Sequence, residues 1–276
     1  TLIYGVFVSQ ENLSAKAAKA AAAAARQEAA AIEQKRQRKI RIIGGLVVVA
    51  VMAALIAIPV LSNKDAVVPT DAALPTGVTS DTYGVKVGSA WTAADADKIP
   101  VLQLWEDFQC PACARFEEAS GAAIQGLIDA GKVRVEYRPT IFLDKNLLSS
   151  NTAAGNPNSS QRATMGFGCA VDAGVEEKYH LGIFAAQPAE EGSGFSTDTL
   201  VSVAAASGLS GADLDSFTEC LTSEKYAGWV ANSYDAFNSE GVSSTPTGLL
   251  NGTELSGDVL FDPAQLTAAI EAATKS

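Results

Sequence analysis

From Ile42 to Leu61 the chain reads IIGGLVVVAVMAALIAIPVL, twenty residues without a charge. Twenty helical residues span ~30 Å, the thickness of a bilayer's hydrocarbon core. A helix in a soluble core would carry polar side chains on one face, and this run has none. Pro59 stands near its end, where a break costs little. Residues 42–61 are therefore read as a single transmembrane helix. Just before it, Lys35-Arg36-Gln37-Arg38-Lys39-Ile40-Arg41 concentrates positive charge; just after it, Lys64 and Asp65 cancel. The positive-inside rule then places the N-terminus in the cytoplasm and everything after the run outside, in a single-pass cell-membrane protein. A cleaved signal peptide is the competing reading. Its apolar core is usually ~7–15 residues behind a short leader. This run is longer, follows a long arm and lacks a small-x-small site directly behind it, so an uncleaved anchor is favoured.

Charge divides at the same place. Residues 1–64 carry nine Lys/Arg against three Glu, leaving 11 basic and 28 acidic residues for the remainder out of totals of 20 and 31. A C-terminal region so acidic would repel phosphate, which argues against nucleic acid as a partner.

The arm, residues 1–41, has an apolar start (Leu2-Ile3-Tyr4-Gly5-Val6-Phe7-Val8) and then an Ala-rich helix former over 15–31. It reads either as a solvated stalk or as a docking element for a membrane partner, because an apolar patch is costly to leave in water. Residues 62–82 mix Pro, Gly, Ser, Thr and Asp without periodicity and are expected to be a linker.

Residues 83–276 show a mixed pattern. Tyr83–Val87, Ile99–Trp105 and Lys132–Tyr137 read as strands, and residues 111–130 as a helix closed by Gly131. Strand, crossover helix and strand imply parallel pairing. Between about 144 and 238 the signals are helical: Gln161–Ala173, Glu176–Gln187, Thr197–Ser207, Ala212–Ser223 and Tyr226–Asn238. A short strand then leads into an Asn251-Gly252 turn, with Leu255–Leu260 as the returning strand. Asp262 at the N-cap and Pro263 at N1 open a last helix, Ala264–Ala273.

Two of the four cysteines form Cys110-Pro111-Ala112-Cys113, just after a predicted strand. Pro111 suits N1 of a helix, so Cys110 sits at the positive end of the helix dipole beside free backbone N–H groups. That lowers a thiol's pKa below ~8.5. Cys113, one turn in, is shielded and suited to resolve a mixed disulfide. Half of a Cys₄ zinc site is the rival reading, but Cys169 and Cys220 stand 51 apart and neither belongs to a second C-x-x-C. A static disulfide in so tight a loop would stabilise little. In an oxidising compartment, with an even cysteine count and apolar neighbours, Cys169 and Cys220 are expected to form a structural disulfide tying two helices of the insertion. Glu106 and Asp107 read as solvated loop acids; if buried, either could move a proton to or from Cys113. His180, the chain's sole histidine, is expected to pack or cap within the insertion. Asn251-Gly252-Thr253 matches a glycosylation sequon, which a hairpin turn explains equally well.

With Trp105-Glu106-Asp107-Phe108-Gln109-Cys110-Pro111-Ala112-Cys113 after a strand, and Gly241-Val242-Ser243-Ser244-Thr245-Pro246-Thr247 before one, the chain resembles the DsbA-like branch of the thioredoxin superfamily. The resemblance covers residues 83–276. It implies an α/β thioredoxin-like fold with a helical insertion, here preceded by the transmembrane helix and cytoplasmic arm. It further implies Cys110 and Cys113 as the catalytic couple, supported by Pro111 and Ala112. The same resemblance implies a cis bond before Pro246, with Thr245 and Pro246 pairing with an extended substrate. Strongly oxidising DsbA proteins carry His where this chain has Ala112, so a less extreme potential is expected. The expected activity is protein thiol-disulfide exchange outside the cell membrane, with disulfide formation in exported proteins as the favoured direction. Its partners would be exported protein thiols and disulfides and a redox protein that recycles the pair; no cofactor and no metal is expected. The alternative is an accessory or scaffold subunit of a membrane complex that docks through the domain and arm.

Overall fold

The computed structural model describes residues 72–274. The arm, the apolar run and residues 62–71 lie outside them, and among the described residues no helix is long and apolar enough to cross a membrane.

The centre is a five-stranded mixed sheet. Its strands are β1 (Val85–Val87), β2 (Val101–Glu106), β3 (Arg134–Pro139), β4 (Thr247–Leu250) and β5 (Thr253–Glu254), in the order β1-β3-β2-β4-β5. β2 and β3 pair in parallel, with Val101 opposite Arg134 and Glu106 opposite Pro139; the other pairs are antiparallel. The crossover is one long helical segment: α1 (Pro111–Phe116), a π-turn (Glu117–Gly121) and α2 (Ala122–Asp129). The π-turn follows from the apolar spacing. Phe116 and Ile124 both enter the core, but eight residues overshoot two α-turns of ~3.6, and the wider turn takes up the surplus. Gly131, at φ 65°, ends the segment as expected, its N–H bonding to Ile128 while that of Lys132 reaches Leu127.

The block between β3 and β4 holds α3 (Asp144–Ala153), α4 (Ser159–Asp172), α5 (Glu176–Ala185), α6 (Thr197–Ala206), α7 (Gly211–Thr222) and α8 (Ala227–Ser239). Five match the helical periodicity to within a residue or two. α3 was not separable in the sequence, because its stretch, DKNLLSSNTA, is mostly polar and its two leucines are adjacent rather than at helical spacing. Cys169 on α4 and Cys220 on α7 are joined by a disulfide, Cα–Cα 6.0 Å.

Two expectations need correction. The returning strand stops at β5, and Gly257–Leu260 is a short helix, α9, before α10 (Pro263–Ala272). Asn251 and Gly252, at φ 49° and 80°, form the two-residue turn into β5. Leu260 goes under the π-turn, its carbonyl accepting from the Ser120 hydroxyl at 2.6 Å, and a flat strand could not have placed it there. The second correction concerns residues 72–82, which lie packed on the domain as a strap. Pro75 and Val78 are buried, and Asp172 Oδ1 accepts from both the N–H and the hydroxyl of Thr76, at 3.0 and 2.9 Å. The packed domain therefore starts before residue 83.

Candidate active site

Strand alternation sets the chemistry at the end of β2. Leu102, Leu104 and Glu106 project to the face covered by the crossover segment and α5; Trp105 projects to the other, where it meets Phe237 of α8 and the Arg138 guanidinium. Neither acid is solvated, contrary to the expectation from sequence: Glu106 is the last residue of β2, 3 % exposed, and Asp107 is fully buried. The strand runs one residue past Trp105, which carries Glu106 inward.

Asp107 and Gln109 bind the active loop to the insertion. Asp107 Oδ1 accepts from the Gln109 N–H at 2.9 Å and the Ser160 hydroxyl at 2.6 Å, and its Oδ2 accepts from the Leu143 N–H at 3.0 Å. Burial pushes its carboxyl up to about 7 against those bonds. The Gln109 amide donates to Asp144 at 2.9 Å and its oxygen accepts from Asn151 at 2.8 Å. Across the loop the Gln187 amide donates to the carbonyls of Phe108 and Cys110, at 2.8 and 3.2 Å. Sequence reasoning missed Gln109, Ser160, Asp144, Asn151 and Gln187, which obey no spacing rule because they converge from separate elements.

Cys110 is the N-cap of α1, with Pro111 at N1. Its Sγ lies 3.4 Å from the Thr245 carbonyl, to which the thiol donates. The Thr245–Pro246 bond is cis. A hydrogen bond from Cys113 does most to lower the Cys110 pKa, to about 6. Burial opposes the shift, while the Thr245 side chain and the backbone N–H groups of Cys113 and Ala112 add to it. The Thr245 hydroxyl is buried without another partner, so it is free to donate once the thiol proton has left. Cys113 is fully buried, and burial drives its pKa well above that of a free thiol; the bond it gives to Cys110 and the charge of Glu106 act in the same sense. One sulfur is thus a thiolate at neutral pH and the other a protonated thiol.

Behind Cys113, His180 of α5 lies in an aromatic cage of Phe108, Tyr137, Phe167 and Phe184. Its Nε2 is 2.8 Å from Glu106 Oε2. Burial lowers the His180 pKa and raises that of Glu106, both of which disfavour an ion pair between them. Glu117, at the start of the π-turn, joins them; burial and then the Glu106 charge push its carboxyl up to about 8. One ligand atom from each of the three lies within 4.8 Å of the others. Glu117 went unnoticed in the sequence although it continues the inward stripe of Cys113, Phe116 and Ser120, because an acid is not expected on a core-facing position.

A family model described as Thioredoxin matches residues 93–272. The chain belongs to the thioredoxin family. Within that family its structural neighbours are DsbA-like and MdbA-like thiol-disulfide oxidoreductases. The reduced disulfide bond oxidoreductase DsbG of Mycobacterium tuberculosis is 29% identical, covers 70% of this chain and 88% of its own, and superposes with a TM-score of 0.56. The oxidised DsbA of the same organism is also 29% identical, over 70% of this chain and 93% of its own, TM-score 0.55. MdbA of Actinomyces oris, a thiol-disulfide oxidoreductase, shares the fold at 22% identity, over 72% and 92%, TM-score 0.60. No curated protein matches the chain. In thioredoxin-family terms, the described residues place the Cys-Pro-Ala-Cys turn opposite Thr245-Pro246, with the insertion helices behind it.

Proposed function

We propose that this thioredoxin-family chain is a protein thiol-disulfide oxidoreductase, tethered outside the cell membrane, that forms disulfides in exported proteins. The asymmetry of the two sulfurs carries this reading: Cys110 is held near pKa 6 beside the Thr245 carbonyl, and Cys113 is buried and protonated. A client thiolate attacks Cys110 Sγ of the Cys110–Cys113 disulfide. The S–S electron pair leaves on Cys113, which takes up a proton. The client's second thiolate then attacks its own mixed-disulfide sulfur and expels Cys110 as a stable thiolate. The client is oxidised by two electrons, the pair is reduced by two, and a separate redox protein must reoxidise it. Thr245 and Pro246 border Cys110, where an extended client strand can pair with the Thr245 backbone.

The tether rests on the uncharged run 42–61 and its basic N-terminal flank. The Cys169–Cys220 disulfide fits an oxidising compartment. Equilibration with glutathione tests the direction of transfer: a potential near about −120 mV marks an oxidant, and one near about −270 mV would reverse the assignment to a reductase. Resistance to carbonate extraction, with protease access only from outside, tests the tether.

A further inference from the structure

The cluster behind Cys113 has more acceptors than donors. Glu106, Glu117 and His180 are 3 %, 6 % and 1 % exposed. Both oxygens of Glu117, Oε1 of Glu106 and Nδ1 of His180 are buried and lack a hydrogen-bond partner. Burying a carboxylate without a partner costs several kcal/mol. One proton shared between the two carboxyls would still leave an oxygen of Glu117 and Nδ1 of His180 bare. The fold nevertheless creates this position. Glu117 stands one helical turn after Cys113 on the buried stripe, and a π-turn, a feature that recurs at functional sites, begins at it. At Gly121 the missing side chain leaves room for the carboxylate, since a Cβ there would stand 2.5 Å from Glu117 Oε2.

A divalent cation supplies what the cluster lacks. Two carboxylates balance its charge, and burial keeps His180 in the neutral form that can ligate. Two carboxylates with one imidazole suit Zn²⁺, Fe²⁺ or Mn²⁺ rather than a soft ion, and three protein ligands leave a coordination position open. There is also a way in. Glu117 forms part of the floor of a groove of about 640 Å³ that runs from Pro111 to Glu191.

We propose that Glu106, Glu117 and His180 form a buried binding site for a divalent transition-metal cation, entered through this groove.

Zn²⁺ is the probe, and the oxidised full chain is the right form, because with both cysteine pairs closed no thiolate competes. Equilibrium dialysis with elemental analysis should find one Zn²⁺ per chain. The imidazole resonances of His180, the only histidine, should shift with it, and Tm should rise by mass action. Glu117→Gln keeps the volume and removes a carboxylate ligand. It should bind Zn²⁺ ~100-fold more weakly or worse, beyond the effect of losing an outer-sphere partner, while its metal-free form melts no lower than the parent. His180→Phe should lose the ion as well and supplies the comparison if Glu117→Gln does not fold. Substoichiometric binding, a stationary His180 resonance, or equal affinity in either variant would overturn the site. The glutathione potential of the metal-free protein is read separately, so failure of the metal site and failure of the oxidoreductase reading are distinguishable.

Discussion

Cys110 keeps 6 % of its surface exposed and Cys113 none, and their acidities diverge accordingly. With its pKa near 6, Cys110 is about nine-tenths thiolate at pH 7. Alkylation of the reduced protein should titrate at Cys110 with a midpoint near pH 6, against ~8.5 for free cysteine; a midpoint above 8 refutes it. The sign for stability follows. Cys110 has a depressed folded pKa, so its contribution to the reduced fold is fully present above the unfolded value and is lost as pH falls through about 6. The raised pKa of Cys113 acts oppositely, its contribution present below the unfolded thiol pKa and lost above it. Buried Asp107 and Glu117, raised to about 7 and about 8, lower the reduced-state unfolding free energy over the same window, so the Cys110 contribution is read as the stability difference between the parent and Cys110→Ser, which should grow from pH 6 toward 8. Ala112→His adds a donor near the Cys110 thiolate and should move the couple to a more oxidising potential, by about 30 mV for each tenfold gain in reduced-form stability; glutathione equilibration measures it. The acidity of Cys110 was legible in the sequence because Pro111 marks a helix start. The destination of Glu106 was less so. It shares parity with Leu102 and Leu104, but only a strand known to run past Trp105 turns that parity into burial.

Among the elements, those governed by local periodicity were legible and those governed by tertiary fit were not. Apolar spacing locates α4 to α8, and Asp262-Pro263 locates the start of α10, where Asp262 accepts from the N–H groups of Ala264 and Gln265. The π-turn, the short helix at Gly257–Leu260 and polar α3 exist because of what they pack against, so no window of sequence announces them. The α4–α7 tie is an element-scale prediction. Its cysteines stand 51 residues apart, a loop whose closure contributes about 4 kcal/mol on the chain-entropy model. The Cys169→Ala/Cys220→Ala pair should lower the urea midpoint accordingly and leave the Cys110–Cys113 potential unchanged; a changed potential would mean the tie also shapes the site.

At the scale of the whole molecule, the sequence separated arm, apolar run and acidic domain by charge, but put the start of the domain too late. The strap of residues 72–82 is made of turn-forming residues and so read as linker, yet Pro75, Val78 and Thr76 attach it to the domain. A chain starting at residue 72 should melt like the full domain. One starting at residue 83 should melt several degrees lower, at ~2–4 °C per kcal/mol for a domain of this size; calorimetry distinguishes them.

Full enclosure of the second sulfur makes the protein a sorter of its clients. A polypeptide with a single thiol, once joined to Cys110, has no second thiol of its own to complete the reaction. Within the joined pair only the enclosed neighbour can free it, and that returns it unchanged. A polypeptide with two thiols in reach of each other departs oxidised. Pairs are thus told from singletons by geometry alone, with no recognition of sequence.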